Sequence, residues 1–259
     1  MLGRIGTFLY GLISYLLFFG TFLYALGWVG NLVVPKSIDA APTMPFGQAL
    51  LIDLGLLGVF AIQHSLMARR GFKDWWTKLV PQVAERSTYV LASSLAMIVM
   101  FYYWQPLGGV VWQVEHPFAK MVLLGMFGFG WGLVLVTTFL INHFDLFGLR
   151  QVWLHLLGKD YTPLAFTTPG PYKLVRHPLY VGWLFAFWSA PVMTVTHLVF
   201  AVTTTAYILI AIQLEERDLL RDHAEYHDYR RRVPMLIPGR SRHAHHPHHP
   251  HHPHHPHHS

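Results

Sequence analysis

The stretch Gly170-Pro-Tyr-Lys-Leu-Val-Arg-His-Pro-Leu-Tyr180, read together with Gln213-Leu-Glu-Glu-Arg-Asp-Leu-Leu220, decides the fold. Between them, from Leu179 to Leu214, there is no Asp, Glu, Lys or Arg. Such a run predicts an apolar helical hairpin that enters and leaves a membrane on one side. Arg176, His177 and Tyr180 then bracket one end, and Glu215, Glu216 and Arg217 the other. Titratable groups massed where a membrane helix meets water mark a functional site, because burying them idly is costly.

The rest of the chain fits that setting. Of its residues 53% are hydrophobic and only 12% charged, and the apolar ones come in long blocks rich in Gly and aromatics. This pattern belongs to membrane helices and excludes an ordinary soluble domain. Cysteine is absent, which excludes disulfides, thiolate metal sites and a cysteine nucleophile; no metal site is expected.

Four spans precede the hairpin: Phe8–Gly30, Gln48–Met67, Tyr89–Trp104 and Phe118–Ile141. A hydrocarbon core of about 30 Å needs roughly 20 helical residues. The flank Gly3-Arg4 is too weakly charged, and the first apolar run too long, for a cleaved signal peptide. Arg69–Arg86 reads as a basic loop holding the interfacial pair Trp75-Trp76, and a Gly-rich loop follows Trp104 through Pro117. A polar excursion, Asn142–Pro178, carries an amphipathic helix over Asp145–Leu157. Leu179–Ala190 makes a helix of only about 18 Å, broken by Pro191 and Thr194-Val-Thr196 before Leu198–Leu214 returns. The predicted fold is all-α: a polytopic membrane bundle of four spans plus a C-terminal helical hairpin. It divides into a bundle (1–141), an excursion with hairpin and binding segment (142–239), and a His/Pro-rich tail (240–259), which is expected to be disordered and holds most of the histidines.

With the N-terminus, loop 69–86, excursion and post-hairpin segment on one side, that side holds 17 of the 19 Lys and Arg residues, Lys36 and Lys120 being the exceptions. The positive-inside rule assigns it to the cytoplasm, and with it both termini and both ends of the hairpin. The formal charge of +6 is thus topology and does not call for nucleic acid.

Several residues at the two ends of the hairpin can hold charged groups of either sign. A helix beginning at Pro178 offers free backbone N–H groups to a carboxylate, with Arg176 and His177 beside it. Tyr172 and Tyr180 offer aromatic faces to a cation, and Glu215 or Glu216 an acceptor for an ammonium or for hydroxyls. Plainer readings stand next to these: Arg176 as a positive-inside anchor, Glu215 and Glu216 paired with Arg217 or Arg221, and Asp145 as a helix cap. Asp53 and His64, near the two ends of the second span, are interfacial, paired in the bundle, or functional.

Arg176-His177-Pro178-Leu179-Tyr180 with Gly182, followed by Glu215-Glu216, Leu219, Tyr226, Tyr229, Val233-Pro234 and Pro238, resembles the isoprenylcysteine carboxyl methyltransferase and phospholipid methyltransferase superfamily. The resemblance covers roughly residues 118–239. It implies S-adenosylmethionine as cofactor, held by Tyr172, Arg176, His177, Pro178, Tyr180, Glu215, Glu216 and Tyr229. The block Ile141-Asn-His-Phe-Asp-Leu-Phe-Gly-Leu-Arg-Gln-Val-Trp153 more narrowly resembles the bacterial methanethiol S-methyltransferases. That likeness implies a small thiol substrate, dimethyl sulfide as product, and a place in the bacterial cytoplasmic membrane with the site facing the cytoplasm. His143 or Asp145 would then serve as base and Arg150 as a positive neighbour for the thiol. Competing readings are a prenylated cysteine carboxylate or lipid amine as acceptor, a sterol-reductase-like protein using NADPH, and a permease or sensor. The oligomeric state is left open.

Overall fold

A computed structural model describes residues 1–239; the His/Pro-rich tail expected to be disordered lies outside the described residues. The chain forms α1 (Leu2–Gly30), α2 (Phe46–Met67), α3 (Arg70–Trp76), α4 (Gln82–Tyr103), β1 (Val110–Gln113), α5 (Pro117–Ile141), α6 (His143–Leu146), α7 (Leu149–Leu156), a 3₁₀ turn (Gly170–Lys173), α8 (Pro178–Trp188), β2 (Val192–Thr194), α9 (Val195–Asp222) and α10 (Glu225–Arg232). This is the all-α polytopic bundle that the apolar blocks predict. Among the described residues α1, α2, α5 and α9 are long and apolar enough to cross a membrane. α4 is as long as α2 but opens on polar residues, and α8 is a short apolar helix.

Local chemistry sets the boundaries. Pro117 opens α5 with His116 as N-cap, and Thr194 caps α9 by accepting from His197 N at 3.0 Å. Asn31 closes α1 in the left-handed conformation. The expected amphipathic helix over Asp145–Leu157 is instead two helices, α6 and α7. Gly148 separates them at φ 85°, and a side chain there would also strike the Ser87 backbone 2.7 Å away.

Other departures from the sequence reading have tertiary causes. The basic loop 69–86 contains α3 and the first turn of α4. That polar turn is held because Arg86 Nε donates to the Leu146 carbonyl at 2.6 Å. The Gly-rich loop after Trp104 and the break after Pro191 pair as a two-stranded antiparallel ribbon, β1 with β2. The ribbon lies at the end of the bundle away from the excursion. There Asp53 accepts from Gln105 N at 2.7 Å, Lys36 Nζ donates to the Tyr102 carbonyl at 2.9 Å, and Thr194 Oγ1 donates to Asp39 at 2.5 Å. Asp53 is therefore tied into the fold through Oδ1, while its Oδ2 is buried without a hydrogen-bond partner among the described residues.

The core between the two ends is aromatic. Trp28 is wholly buried, with Phe101, Trp104 and Phe200 centred 5.1–5.4 Å from it. Trp131 meets Trp183 edge-on at 5.2 Å, so both serve packing. The tightest helix pair is α5 on α8. A Cβ on Gly130 would stand 2.5 Å from Ala186 N, and one on Gly182 would stand 2.9 Å from Gly130 O. Two glycines let the backbones touch, as small residues do between membrane helices.

Gly130→Ala should therefore destabilise the detergent-solubilised protein by about 1–3 kcal/mol through overpacking. Gly132→Ala, where an added Cβ meets nothing within 4 Å, should leave the melting temperature unchanged or slightly raised.

Candidate active site

Residues 169–180 and 213–235 converge at the excursion end of the bundle. Pro178 starts α8, and just before it the chain runs extended alongside residues 234–235. Arg176 N donates to the Pro234 carbonyl at 2.8 Å and His177 N to that of Met235 at 3.3 Å. Tyr229, on α10, donates to the carbonyls of Tyr172 (2.5 Å) and Val175 (3.3 Å). Phe166 packs against the rings of Tyr226 and Tyr229.

The centre of this knot is Glu216, whose side chain is 5% exposed. Its Oε1 accepts from Arg176 Nη2 at 3.0 Å, and its Oε2 accepts from Tyr226 Oη at 3.0 Å with Arg230 Nε at 3.6 Å. Arg176 Nη1 also donates to the Val233 carbonyl at 2.9 Å. His177 Nε2 stands 3.4 Å from Glu216 Oε1, yet it and Arg176 Nε have no hydrogen-bond partner among the described residues. The neighbouring Glu215 is exposed and accepts from Tyr180 Oη at 3.0 Å. Burial pushes the Tyr229 hydroxyl up to about 12 and raises those of Tyr172 and Tyr226, so all three stay neutral donors. A cleft of about 650 Å³, lined by Arg176, Leu220, His227, Arg230 and Arg231, opens beside the knot.

All eight residues expected to hold the cofactor thus gather in one place. His143, Asp145 and Arg150 lie apart from them, at the junction of α5, α6 and α7, against α1 and α4. His143 is buried, stacked on Phe139 at 4.1 Å; its Nε2 pairs with Tyr15 Oη at 2.7 Å and its Nδ1 with Thr138 Oγ1 at 2.9 Å. Asp145 accepts from Arg150 Nη1 at 2.8 Å and from Tyr161 Oη at 3.4 Å. Asn142, and not Asp145, caps α6. His64, left undecided by the sequence, lies near the end of α2 between the Phe60 and Tyr89 rings. The partners Tyr226 and Arg230 were only weakly signalled; they follow Glu216 by 10 and 14 residues, and a reversal of chain direction at His223 brings them back.

Fold and site together define a polytopic α-helical membrane protein with a charged, aromatic-walled site at one end of its bundle. Comparison with known proteins gives the family. The chain is 56% identical over 238 residues to a methanethiol S-methyltransferase of Crocosphaera subtropica, covering 92% of this chain and 93% of that one. It is 51% identical over 238 residues to that of Mycobacterium tuberculosis, covering 92% and 98%. The chain belongs to the methanethiol S-methyltransferase family. Nurim of Bos taurus is 35% identical over 179 residues, covering 66% of this chain and 68% of that one. No protein-family model matches, and no solved structure does.

Two outcomes follow. Glu216→Gln leaves Arg176 buried without its counter-ion and should cost about 3–5 kcal/mol. Glu215→Gln, at an exposed pair, should cost at most about 1 kcal/mol; comparing the two melting temperatures checks this. Burial also holds His143 below the ordinary imidazole range. Between that lowered value and about pH 6.5 the unfolded chain binds a proton that the folded chain refuses. Stability should therefore rise with pH across that window and level off above it. His143→Gln should flatten this dependence in melting curves taken from about pH 5.5 to about pH 7.5.

Proposed function

We propose that this protein transfers a methyl group from S-adenosylmethionine to the sulfur of methanethiol, giving dimethyl sulfide, with the knot around Glu216 as the cofactor site. The methyl transfer to methanethiol follows from family membership. The cofactor assignment rests on charge. S-adenosylmethionine carries a carboxylate, an ammonium and a sulfonium, and the site offers both signs in separate places. The cleft beside Arg176, His227, Arg230 and Arg231 is cationic, and the unpartnered Arg176 Nε and His177 Nε2 are donors that a carboxylate satisfies. The first turn of α8 at Pro178 adds free backbone N–H groups. On the other side Glu215 is free to take an ammonium in addition to the Tyr180 hydroxyl, and the Tyr180 and Tyr172 rings suit a cation.

When bound, the cofactor supplies an electrophilic methyl group on a sulfonium. The chain's own task is to bind, orient and exclude water. Glu216 and Tyr229 hold the frame, Arg176 and His177 the anionic end, and Glu215 with Tyr180 the cationic end. His143, Asp145 and Arg150 enter as positioning residues, because His143 has both ring nitrogens bonded and Asp145 both carboxylate oxygens. Residues 142–178 lead directly from α5 into α8, so their packing sets where α8 begins. Of the 17 Lys and Arg residues within 1–239, 15 belong to segments at this end, which supports a site facing the cytoplasm.

Calorimetry on purified protein should give saturable binding of S-adenosylmethionine, and adding methanethiol should release dimethyl sulfide, measured by gas chromatography. His177→Ala and Glu215→Gln should each weaken cofactor binding about ten- to hundredfold, the scale of one charge-assisted hydrogen bond, in a folded protein. Binding of NADPH in place of S-adenosylmethionine, or unchanged affinity in both variants, would overturn the assignment.

A further inference from the structure

The site has a second wall that the cofactor reading leaves without a task. His64 lies near the end of α2, at the same end of the bundle as Glu215. Its ring is stacked on Phe60 at 5.2 Å and 17°, tilted against Tyr89 at 5.1 Å, and met edge-on by Tyr207 at 6.5 Å. Its Nδ1 lies 3.2 Å from Ser93 Oγ, which also accepts from Gln63 Nε2 at 3.2 Å. Tyr89 Oη donates to the His64 carbonyl at 3.1 Å. Three rings and one hydrogen bond thus fix the imidazole in place. Its Nε2 has no hydrogen-bond partner among the described residues, and the residue is half-buried.

The surroundings connect this nitrogen to the proposed reaction. Tyr89 (α4) and Tyr207 (α9) lie within electrostatic reach of the Tyr180 hydroxyl, which is itself bonded to Glu215. Phe60, Tyr89 and Tyr207 therefore line the His64 ring, and the two tyrosines lead from it toward Tyr180 at the cationic half of the proposed cofactor site. A small apolar thiol fits such a lining, and aromatic faces suit the positive charge that methyl transfer moves through it. The charged or titratable groups facing His64 are Arg86 and Tyr89 from α4 and Tyr207 from α9. None of these is a carboxylate that would hold a proton on the ring. Other histidines packed in the bundle are committed elsewhere: His143 to Tyr15 and Thr138, and His197 to the Phe187 carbonyl near the β-ribbon.

We propose that His64 faces the acceptor thiol and takes its proton as the new carbon–sulfur bond forms. This rests on the methyl-transfer reading above. The thiol S–H proton passes to His64 Nε2 while a sulfur electron pair bonds to the methyl carbon of the sulfonium donor. The donor's own carbon–sulfur bond breaks, and its electron pair stays on the departing sulfur, which becomes a neutral thioether. One positive charge leaves the sulfonium and one appears on the imidazolium, which then gives its proton to water. Ser93, 3.2 Å from Nδ1, is the positioning residue: by accepting from Nδ1–H in the proposed tautomer it leaves Nε2 as the acceptor.

The decisive comparison varies the acidity of the thiol. In His64→Gln, turnover of ethanethiol near neutral pH should fall about a hundredfold, the usual scale for a lost general base. The loss should shrink as pH is raised toward the thiol's own ionisation. Trifluoroethanethiol, a far more acidic thiol, should lose much less than ethanethiol, while cofactor affinity by calorimetry stays essentially unchanged. Ser93→Ala should show the same pattern more weakly. As a readout apart from turnover, diethyl pyrocarbonate should modify His64 in the wild-type protein, seen by mass spectrometry, and ethanethiol should shield it. An equal loss for both thiols, full activity of His64→Gln, or an adduct that ethanethiol does not shield would overturn the role of His64 alone. A wild-type protein that binds no S-adenosylmethionine and makes no thioether would overturn the methyl-transfer reading, and this inference with it. If His64→Gln does not fold, the wild-type shielding experiment and Ser93→Ala decide the matter.

Discussion

Taking the Glu216 carboxylate out of water costs several kcal/mol, and only close, well-aimed partners offset that. Those partners come from separate parts of the chain: Arg176 from the segment before α8, and Tyr226 from α10, with Arg230 of α10 at 3.6 Å. Satisfying one charge therefore fixes how two other segments dock onto α9. Burial keeps the tyrosines around it protonated, and Tyr226 donates to it. The knot has donors to spare and a single buried carboxylate, which leaves Arg176 Nε and His177 Nε2 unmatched in a place where unmatched polar atoms are rare.

The knot would have no fixed relation to the bundle without the contact of α5 and α8. α8 has 11 residues, too few to cross a membrane as a helix. Its position comes from backbone-to-backbone packing through Gly130 and Gly182, which needs no polar group in the apolar interior. One end of this helix is thus set by van der Waals contact and the other by an ion pair. The proposed site occupies the boundary between those two regimes.

Much of this was readable in the sequence because membrane helices announce themselves by long uncharged runs. The absence of charge from Leu179 to Leu214 sufficed to infer that the two polar ends of the hairpin meet, though not that Glu216 takes Arg176, at 3.0 Å, in place of Arg217 or Arg221. The features that stayed hidden depend on partners far along the chain. Nothing near His143 points to Tyr15, 128 residues earlier. The first turn of α4 looks like a polar loop until Arg86 finds the carbonyl of Leu146. The β-ribbon joins segments that are short and lie some 80 residues apart, below what alternation can signal. The reach of His64 toward Tyr207 is likewise a product of packing, since it brings α2 against α9.

The far end of the bundle has a mechanical consequence. There Lys36, Asp39, Asp53, the β-ribbon and Thr194 stitch the loops to one another, and Leu107 N donates to Thr196 Oγ1 at 2.8 Å. Helices riveted at one end retain the freedom to splay at the other, as the arms of tweezers do. From Thr196 to Glu216 along α9 is about 30 Å, so a tilt of about one degree at the rivet moves Glu216 by about 0.5 Å. The ion pairs between Arg69 and Asp218 and between Arg70 and Asp222 join the arms close to their tips. The helices are thus joined by two sets of contacts roughly a membrane's thickness apart, one placed as a pivot and the other as a clasp.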